Sequence, residues 1–327
     1  MTPATAQPDV VTGAFSYSGA AIARELRAAG HRVATLTGHP GRAPAGTDID
    51  VRPLDFADPA GLTESLRGTG TLYNTYWVRF ARGRVDHQAA VANSRVLFDA
   101  AARAGVRRVV HVSITNPSPS SRYPYFRGKA EVEQILAGTG VPFAIARPAI
   151  LFGGNGVLVN NIAWLLRRVP VFAIGGGGDY RVRGIHVDDL ARLCVRLGAS
   201  GENDTSGANR ASGENVTIDA VGPQSLTFRE MVDAVRAAVG SRAVLVNVPG
   251  PVLLGLSRAL SVALRDTLLT RDEYQAMCDG LADSDAPSTG QIAFTDWVAR
   301  HGHDLGRDYA NELDRHFRPA PSRPRRP

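Results

Sequence analysis

The segment Tyr125-Phe126-Arg127-Gly128-Lys129 sets a phenol and an ammonium four positions apart. On a helix that spacing puts both groups on one face, one turn apart. A cation beside a phenol stabilises the phenolate and lowers a pKa that ordinarily lies near ~10. Tyr125 is therefore a candidate proton donor and acceptor near neutral pH. The lysine is also rare. Of the 37 Lys and Arg residues in this 327-residue chain, Lys129 is the only lysine. Arginine is a planar, permanently charged fork, whereas lysine is a compact point charge with three donors. A chain so committed to arginine uses lysine where the point charge matters.

The segments before this pair read as the frame that positions it. Asp9-Val10-Val11-Thr12 predicts a buried strand, Gly13 to Gly19 a glycine-bearing turn, and Ala20–Ala29 a helix stopped at Gly30. Strand, glycine turn and helix form the context of a dinucleotide site, with the pyrophosphate on the helix N-terminus. Its candidate cofactor contacts are Gly13, Phe15, Ser16, Tyr17 and Gly19. Ser16 stands where a T-G-x-x-G-x-x-G motif has its middle glycine, and its hydroxyl either donates to a phosphate or crowds the backbone. The next strand, His31–Leu36, ends without the Asp or Glu that would take an adenosine ribose 2′-hydroxyl. Thr37, His39 and Arg42 read instead as acceptors of a 2′-phosphate, which favours NADP over NAD. Asp55 reads either as a carboxylate on the adenine edge or as part of a surface turn before the helix Pro59–Arg67.

Thr71–Trp77 is a further apolar strand, with Asn74 a cofactor candidate near its end. Val85–Ala104 predicts a long helix stopped at Gly105, inside which Asn93 is either exposed or makes an inward contact. Val106–Val112 is a strong strand running into Ser113-Ile114-Thr115. Ser113 could hold a substrate carbonyl against Tyr125, with Thr115 the reserve. Val141–Ala146 completes an alternation that predicts an α/β fold with a doubly wound parallel sheet. The glycine turn, Asn74, Ser113 and Tyr125 all fall at or just past the carboxyl ends of its strands, where ligands bind in such sheets.

The second half is less regular. Asn160–Arg168 predicts a helix, Pro170–Ile174 a strand, and Gly175–Gly178 either a mobile substrate loop or a plain hairpin. Gly184–Leu190 reads as the start of another helix, with Asp188 a cap. His186 beside Asp188 and Asp189 does not suggest a metal, because adjacent carboxylates diverge on a helix, and no metal is expected. Residues 198–215 form a polar loop. Val216–Val221 and Val244–Val248 are strands, and Thr227 with Glu230 caps a helix reaching Val239. In Pro251–Leu269, leucines 253, 256, 260, 264 and 268 recur at helical spacing around Arg258, Arg265 and Asp266, so an amphipathic helix packed on the protein is expected rather than a membrane span. The predicted organisation is a Rossmann-type domain over 1–153 with return segments near 184–222. A smaller C-terminal substrate-binding lobe spans 154–183 and 223–317, and a disordered basic tail 318–327. Asn160 and Arg183 are its substrate-contact candidates.

The net charge of +6 comes largely from that tail, which holds four arginines and no acid, so residues 1–317 are nearly balanced. No basic stripe with interleaved aromatics suggests nucleic-acid binding. Cys194 and Cys278 are in no metal or redox spacing. No charged start followed by an apolar run suggests a signal peptide, so a cytoplasmic protein is expected. A small-molecule partner is implied, and a homodimer is left open.

Thr12-Gly13…Gly19, Asp55, Asn74, Asn93, Ser113, Tyr125-x-x-x-Lys129, Arg147-Pro148…Phe152-Gly153 and His186-Val187-Asp188-Asp189 together resemble the extended, partly atypical short-chain dehydrogenase/reductases of the NAD-dependent epimerase/dehydratase type. Within that family the chain looks most like the branch of the nucleotide-binding accessory subunit of respiratory complex I and its bacterial relatives. The resemblance implies bound NAD(P), Tyr125 as catalytic acid/base, Lys129 on the nicotinamide ribose and Ser113 orienting the carbonyl. Two departures are Ser16 and the short, proline-rich segment between Ser113 and Tyr125. The leading expectation is an NAD(P)-dependent oxidoreductase moving hydride to or from a carbonyl or alcohol carbon. The alternatives are a nucleotide-sugar epimerase or dehydratase, and a non-catalytic NAD(P)H-binding protein.

Overall fold

The computed structural model describes residues 7–80, 86–199 and 215–313. The arginine-rich tail and most of the polar stretch 198–215 lie outside these. The chain begins with β1 (Asp9–Thr12), α1 (Tyr17–Ala28), β2 (Val33–Thr37), β3 (Asp50–Pro53), α2 (Pro59–Leu66), β4 (Thr71–Asn74), α3 (His87–Ala104), β5 (Arg108–Val112), α4 (Pro124–Ala137) and β6 (Phe143–Pro148). It continues through β7 (Ile150–Phe152), α5 (Val157–Leu166), β8 (Val171–Gly175), β9 (Arg181–Val182), β10 (Gly184–His186), α6 (Val187–Ala199) and β11 (Val216–Ala220). The last elements are β12 (Leu226–Thr227), α7 (Phe228–Ala238), β13 (Val244–Val248), α8 (Gly250–Leu264), α9 (Arg271–Cys278) and α10 (Phe294–His301).

Two compact units are drawn from these elements. One comprises Met1–Ala149, Val187–Val221 and Ser284–Gln291; the other comprises Ile150–His186, Gly222–Asp283 and Ile292–Pro327. The first holds a seven-stranded sheet in the order β3-β2-β1-β4-β5-β6-β11, every neighbouring pair parallel. Parallel strands buried on both faces read as near-continuous apolar runs; β1, β4 and β5 are buried at every position, with apolar centres and polar residues at or near their ends. One face packs Leu62, Leu66, Leu97, Phe98, Val132 and Leu136 onto Val10, Leu36, Leu72, Val109 and Ile145. Truncating a fully buried side chain such as Phe98 typically costs about 3–5 kcal/mol. α1 packs against α6. The order runs outward in both directions from the β1/β4 pair, which is the switch point where such sheets open a crevice at their carboxyl ends.

Local chemistry sets the helix ends. Asp58 accepts from the Gly61 N–H at 2.9 Å with Pro59 behind it, and Asp86 accepts from the Ala89 N–H at 2.7 Å. Gly105 ends α3 in the left-handed region at φ 71°. The Thr227–Glu230 capping box predicted for α7 is present in both directions.

The second unit builds its core from Phe152, Val159, Ile162, Ile174, Met231, Val235 and Trp297. Its strands form three two-stranded pairs: β7 with β10 and β8 with β13 are parallel, and β9 with β12 is antiparallel. Three expectations change here and in the first unit. Gly184–His186 is strand rather than helix, because it pairs residue for residue with Ile150–Phe152, and the helix starts at Val187. The strand at 71 stops at Asn74, where the backbone turns to satisfy Thr12. α8 is the helix its leucine spacing predicts, yet none of its residues is buried, and Val252, Leu256 and Val262 are exposed. The glycine run after β8 is held against α7, where the Arg229 N–H donates to the Gly178 carbonyl at 2.9 Å. Among the described residues no helix is long and apolar enough to cross a membrane.

Candidate functional site

At the end of β1 the backbone turns at Gly13, whose φ of 68° is a conformation few side chains tolerate. Its N–H donates to the Leu36 carbonyl and its carbonyl accepts from the Ser16 N–H, both at 2.8 Å. A Cβ on Gly19 would stand 2.2 Å from that same carbonyl, so α1 approaches β1 only because residue 19 is bare. Thr35 on β2 locks the turn from below. Its hydroxyl accepts from the Ala14 N–H and donates to the Val11 carbonyl, each at 2.9 Å. Ser16 occupies the N-cap position of α1 in extended conformation, exposed and without a side-chain capping bond. The positive dipole end of α1 lies at this turn, with no acid in the first turn to offset it. Phe15 and Tyr17 are half-buried beside it.

The switch point is wired by side chains. The Thr12 hydroxyl donates to Asn74 Oδ1 at 3.1 Å and accepts from the N–H groups of Thr75 at 2.7 Å and Tyr76 at 3.1 Å. Asn74 Oδ1 also accepts from the Tyr76 N–H at 3.1 Å. Its carboxamide orientation is thereby fixed, and Nδ2 donates to His111 Nδ1 at 3.0 Å. His111 is accordingly the Nε2–H tautomer. Burial, with the nearby Lys129 charge, holds its pKa well below the ordinary imidazole value. Asn74 is fully buried, so this candidate ties β1, β4 and β5 together at their carboxyl ends. Asn93 makes the inward contact, donating to the Tyr76 hydroxyl at 2.8 Å.

At the end of β2, Thr37, His39 and Arg42 share one short turn. The Thr37 hydroxyl accepts from the His39 N–H at 3.0 Å, and partial burial followed by the Arg42 charge lowers the His39 pKa. Asp55 is exposed and accepts from the Ala57 N–H at 2.9 Å.

On α4 the Tyr125–Lys129 pair lies as the spacing predicts. Lys129 is buried, and its Nζ donates to the Val112 carbonyl at 3.0 Å. The Trp77 ring covers it, with its centroid 4.6 Å from Nζ. Burial brings the Lys129 pKa down to about 7, opposed by the Glu133 carboxylate. Glu133 is in turn gripped through both oxygens by the Arg147 guanidinium, at 2.5 and 3.0 Å. Tyr125 meets Trp77 and His87 edge-on, at 5.6 Å from each ring centroid. Ser113 immediately follows Val112; it is buried, and among the described residues its Oγ has no hydrogen-bond partner. Thr115 is fully buried, its N–H donating to the Pro148 carbonyl at 3.0 Å.

The first unit thus contains every candidate from Gly13 to Lys129. The two substrate candidates belong to the other unit. Asn160 Oδ1 accepts from the Gly306 N–H at 3.0 Å and its Nδ2 donates to the Asp308 carbonyl at 2.9 Å, while Arg183 Nε donates to the Gly222 carbonyl at 3.0 Å. Residues that sequence reasoning missed are Thr35, His111, Trp77, His87 and Glu133. Glu133 alone carried a signal, one turn beyond Lys129 on the same helix face. Among the described residues no group of three or more His, Cys, Asp or Glu side chains is placed to hold a metal.

Comparison with known proteins agrees with this geometry. The sequence model of a family described as NAD(P)H-binding matches residues 13–197. An uncharacterised protein of Mycobacterium tuberculosis is 30% identical over 271 residues, 81% of this chain and 27% of that protein. The mitochondrial NADH-ubiquinone oxidoreductase 40 kDa subunit of Neurospora crassa is 25% identical over 223 residues, 68% of this chain and 56% of the subunit. The chain therefore spans only part of the length of each relative. The Citrobacter sp. triphenylmethane reductase complexed with NADP(H) shares the fold, with a TM-score of 0.70 at 17% identity over 90% of this chain and 99% of that one. The glycine turn on a parallel, doubly wound sheet and the family match that begins at that turn lead to one conclusion: the chain belongs to the NAD(P)H-binding family.

Proposed function

We propose that this chain is an NADP-dependent oxidoreductase that moves hydride to or from the carbonyl or alcohol carbon of a small molecule, with Tyr125 as its acid and base. The observation that carries the reading is the end of β5. There the only lysine of the chain is buried one helical turn from Tyr125, beside a Ser113 hydroxyl that has no partner among the described residues. An orphaned buried hydroxyl is costly, on the order of 1–3 kcal/mol, and a substrate oxygen would satisfy it.

The residues present fit the nucleotide. Gly13 and the bare Gly19 let a pyrophosphate approach the α1 amides, and Thr37, His39 and Arg42 supply donors and positive charge for a 2′-phosphate. Bound nicotinamide would supply or receive the hydride. Lys129 would favour the ionised phenol and would hold the nicotinamide ribose. Ser113 orients the substrate oxygen. Tyr125 delivers a proton to that oxygen during reduction and recovers it during oxidation. Asn74 shapes the site from beneath, through Thr12 and His111. One observation favours a second reading, an NAD(P)H-binding protein without turnover: Lys129 is engaged by the Val112 carbonyl and covered by Trp77.

Titration with NADPH and NADH, followed by tryptophan quenching, and then a carbonyl screen followed by loss of NADPH absorbance, tests the proposal. Binding of NADPH at least about tenfold tighter than NADH, about 1.4 kcal/mol, with turnover of a carbonyl substrate, is expected. Tight binding without turnover across aldehydes, ketones and quinones would replace the enzyme reading with the second one.

A further inference from the structure

We propose that Trp77 is a positioning residue of this site: seated over Gly128, its indole holds the Lys129 ammonium on the Val112 carbonyl and fixes the Tyr125 ring beside it. The inference rests on the reading of Tyr125 and Lys129 given above.

Three features of the fold converge on this one side chain. The ring lies over Lys129 Nζ, meets Tyr125 edge-on at an interplanar angle of 82°, and stacks against His87 at 4° with centroids 5.9 Å apart. Gly128 makes the arrangement possible. A Cβ there would stand 3.0 Å from Trp77 Cη2 and 3.4 Å from Val91 Cγ2. Glycine inside a helix costs about 1 kcal/mol relative to alanine. The indole N–H, moreover, is buried and has no hydrogen-bond partner among the described residues. A residue that merely filled the gap between α3 and α4 would be Leu or Phe, which leave no donor unsatisfied. The indole contributes the aromatic face that attracts a cation most strongly.

The charged and titratable groups around Lys129 leave the indole as the adjustable neighbour. Glu133, on the same helix, is tied to Arg147 of β6. His111 of β5 is held neutral by burial, together with the Lys129 charge. Tyr125 lies one turn earlier on α4, and His87 of α3 lies behind the Trp77 ring, its Nε2 3.2 Å from the Arg79 carbonyl. Trp77 keeps water from the ammonium, and water is what would return Lys129 to its ordinary behaviour.

Because Lys129 is the only lysine, isotope-labelled lysine gives a single side-chain NMR signal from the full-length protein. The wild type should titrate with a midpoint near about 7. In Trp77→Leu water reaches the amine, and the midpoint should rise by at least about one unit towards the free-lysine value of ~10.4. Trp77→Phe keeps a ring face and most of the cover, so its midpoint should stay within about half a unit of wild type. Gly128→Ala displaces the indole without removing it and should shift the midpoint upwards; it carries the test if Trp77→Leu does not fold. A cooperatively melting Trp77→Leu or Gly128→Ala protein that titrates like wild type overturns the proposal. Adding NADPH to wild type tests the underlying reading separately. If NADPH binds by fluorescence and leaves the lysine signal unmoved, Lys129 is not a nucleotide contact, whatever Trp77 does to its midpoint.

Discussion

Asn74 Nδ2 donates to His111 Nδ1 at 3.0 Å across the β4–β5 pair, and every other polar atom of the asparagine carboxamide is committed to Thr12 and Tyr76. The imidazole cannot accept a proton at Nδ1 without turning one donor against another. Asn74→Ala leaves the Tyr76 N–H with a single acceptor, and the imidazole Nδ1 without a donor in a fully buried position. It should destabilise the protein by about 2–3 kcal/mol, read as a lower urea midpoint with an unchanged slope. The pair also sets an acid limb. Since the folded-state pKa of His111 is below its unfolded value, the unfolded chain binds more protons, and stability should fall as pH drops below about 6.5. A urea midpoint flat from pH 7 to pH 5.5 would contradict a neutral, buried His111.

Gly19→Ala places a methyl group 2.2 Å from the Gly13 carbonyl, so α1 has to move away from β1. The amides proposed to meet the pyrophosphate move with it. NADPH affinity should fall at least about tenfold, about 1.4 kcal/mol, while overpacking lowers stability by about 1–3 kcal/mol. Calorimetric titration of a folded Gly19→Ala protein that binds like wild type would remove the glycine turn from the nucleotide site.

The parts of this architecture that were legible in the sequence are those with local causes. Gly13, Gly19 and Gly105 stand where the backbone requires glycine, Thr227 and Glu230 spell their cap, and the apolar segments beginning at Asp9, Thr71 and Val106 hold the sheet strands nearest the switch point. Gly184–His186 escaped because three residues carry almost no periodicity, and their strand state comes from a ladder to Ile150–Phe152, more than thirty residues earlier. Trp77 read as the last residue of a strand. Its meaning depends on a bare Gly128 on α4, fifty-one residues later, and no local pattern reports such a contact. Thr35 and His111 were hidden for a different reason, since Thr is ordinary in a strand and one buried His has no spacing to betray it.

Tyr125→Phe keeps the ring contacts with Trp77 and His87 and removes only the hydroxyl. Turnover in the carbonyl assay should fall at least about a hundredfold, the usual scale of a lost general acid, with NADPH affinity nearly unchanged. Ser113→Ala should lower turnover as well, and because it deletes an unpartnered buried hydroxyl it should not lower stability. Full activity in Tyr125→Phe would show that the proton comes from elsewhere.

The coenzyme preference has its own handle at the end of β2. Thr37→Asp adds a carboxylate suited to a ribose 2′-hydroxyl and repels a 2′-phosphate, and Arg42→Ala removes a cation. Together they should reduce the NADPH-to-NADH affinity ratio at least about tenfold, roughly 1.4 kcal/mol. A double variant that retains the wild-type ratio would place the 2′-phosphate away from Thr37, His39 and Arg42.

Lys129 should write itself into the pH dependence of stability. Its folded-state pKa is about 7, against ~10.4 for an unfolded lysine. Between those values the unfolded chain carries a proton that the folded chain does not, so stability rises with pH, by up to about 1.4 kcal/mol per unit. Below about 7 the amine is charged in both states and the contribution is level. The upper end of the window is complicated by Cys194, whose thiol burial pushes up to about 12. The folded chain keeps that proton while an unfolded thiol loses it near ~8.5, so stability is eroded above that pH. Chemical denaturation between pH 7 and 8.5 therefore isolates the lysine. Wild type should gain stability across the interval, whereas Lys129→Met, which puts an uncharged side chain of similar length in the same place, should start higher and stay flat. Parallel curves for the two proteins would mean that Lys129 is as well solvated folded as unfolded, which is incompatible with an ammonium enclosed by Trp77 and the Val112 carbonyl.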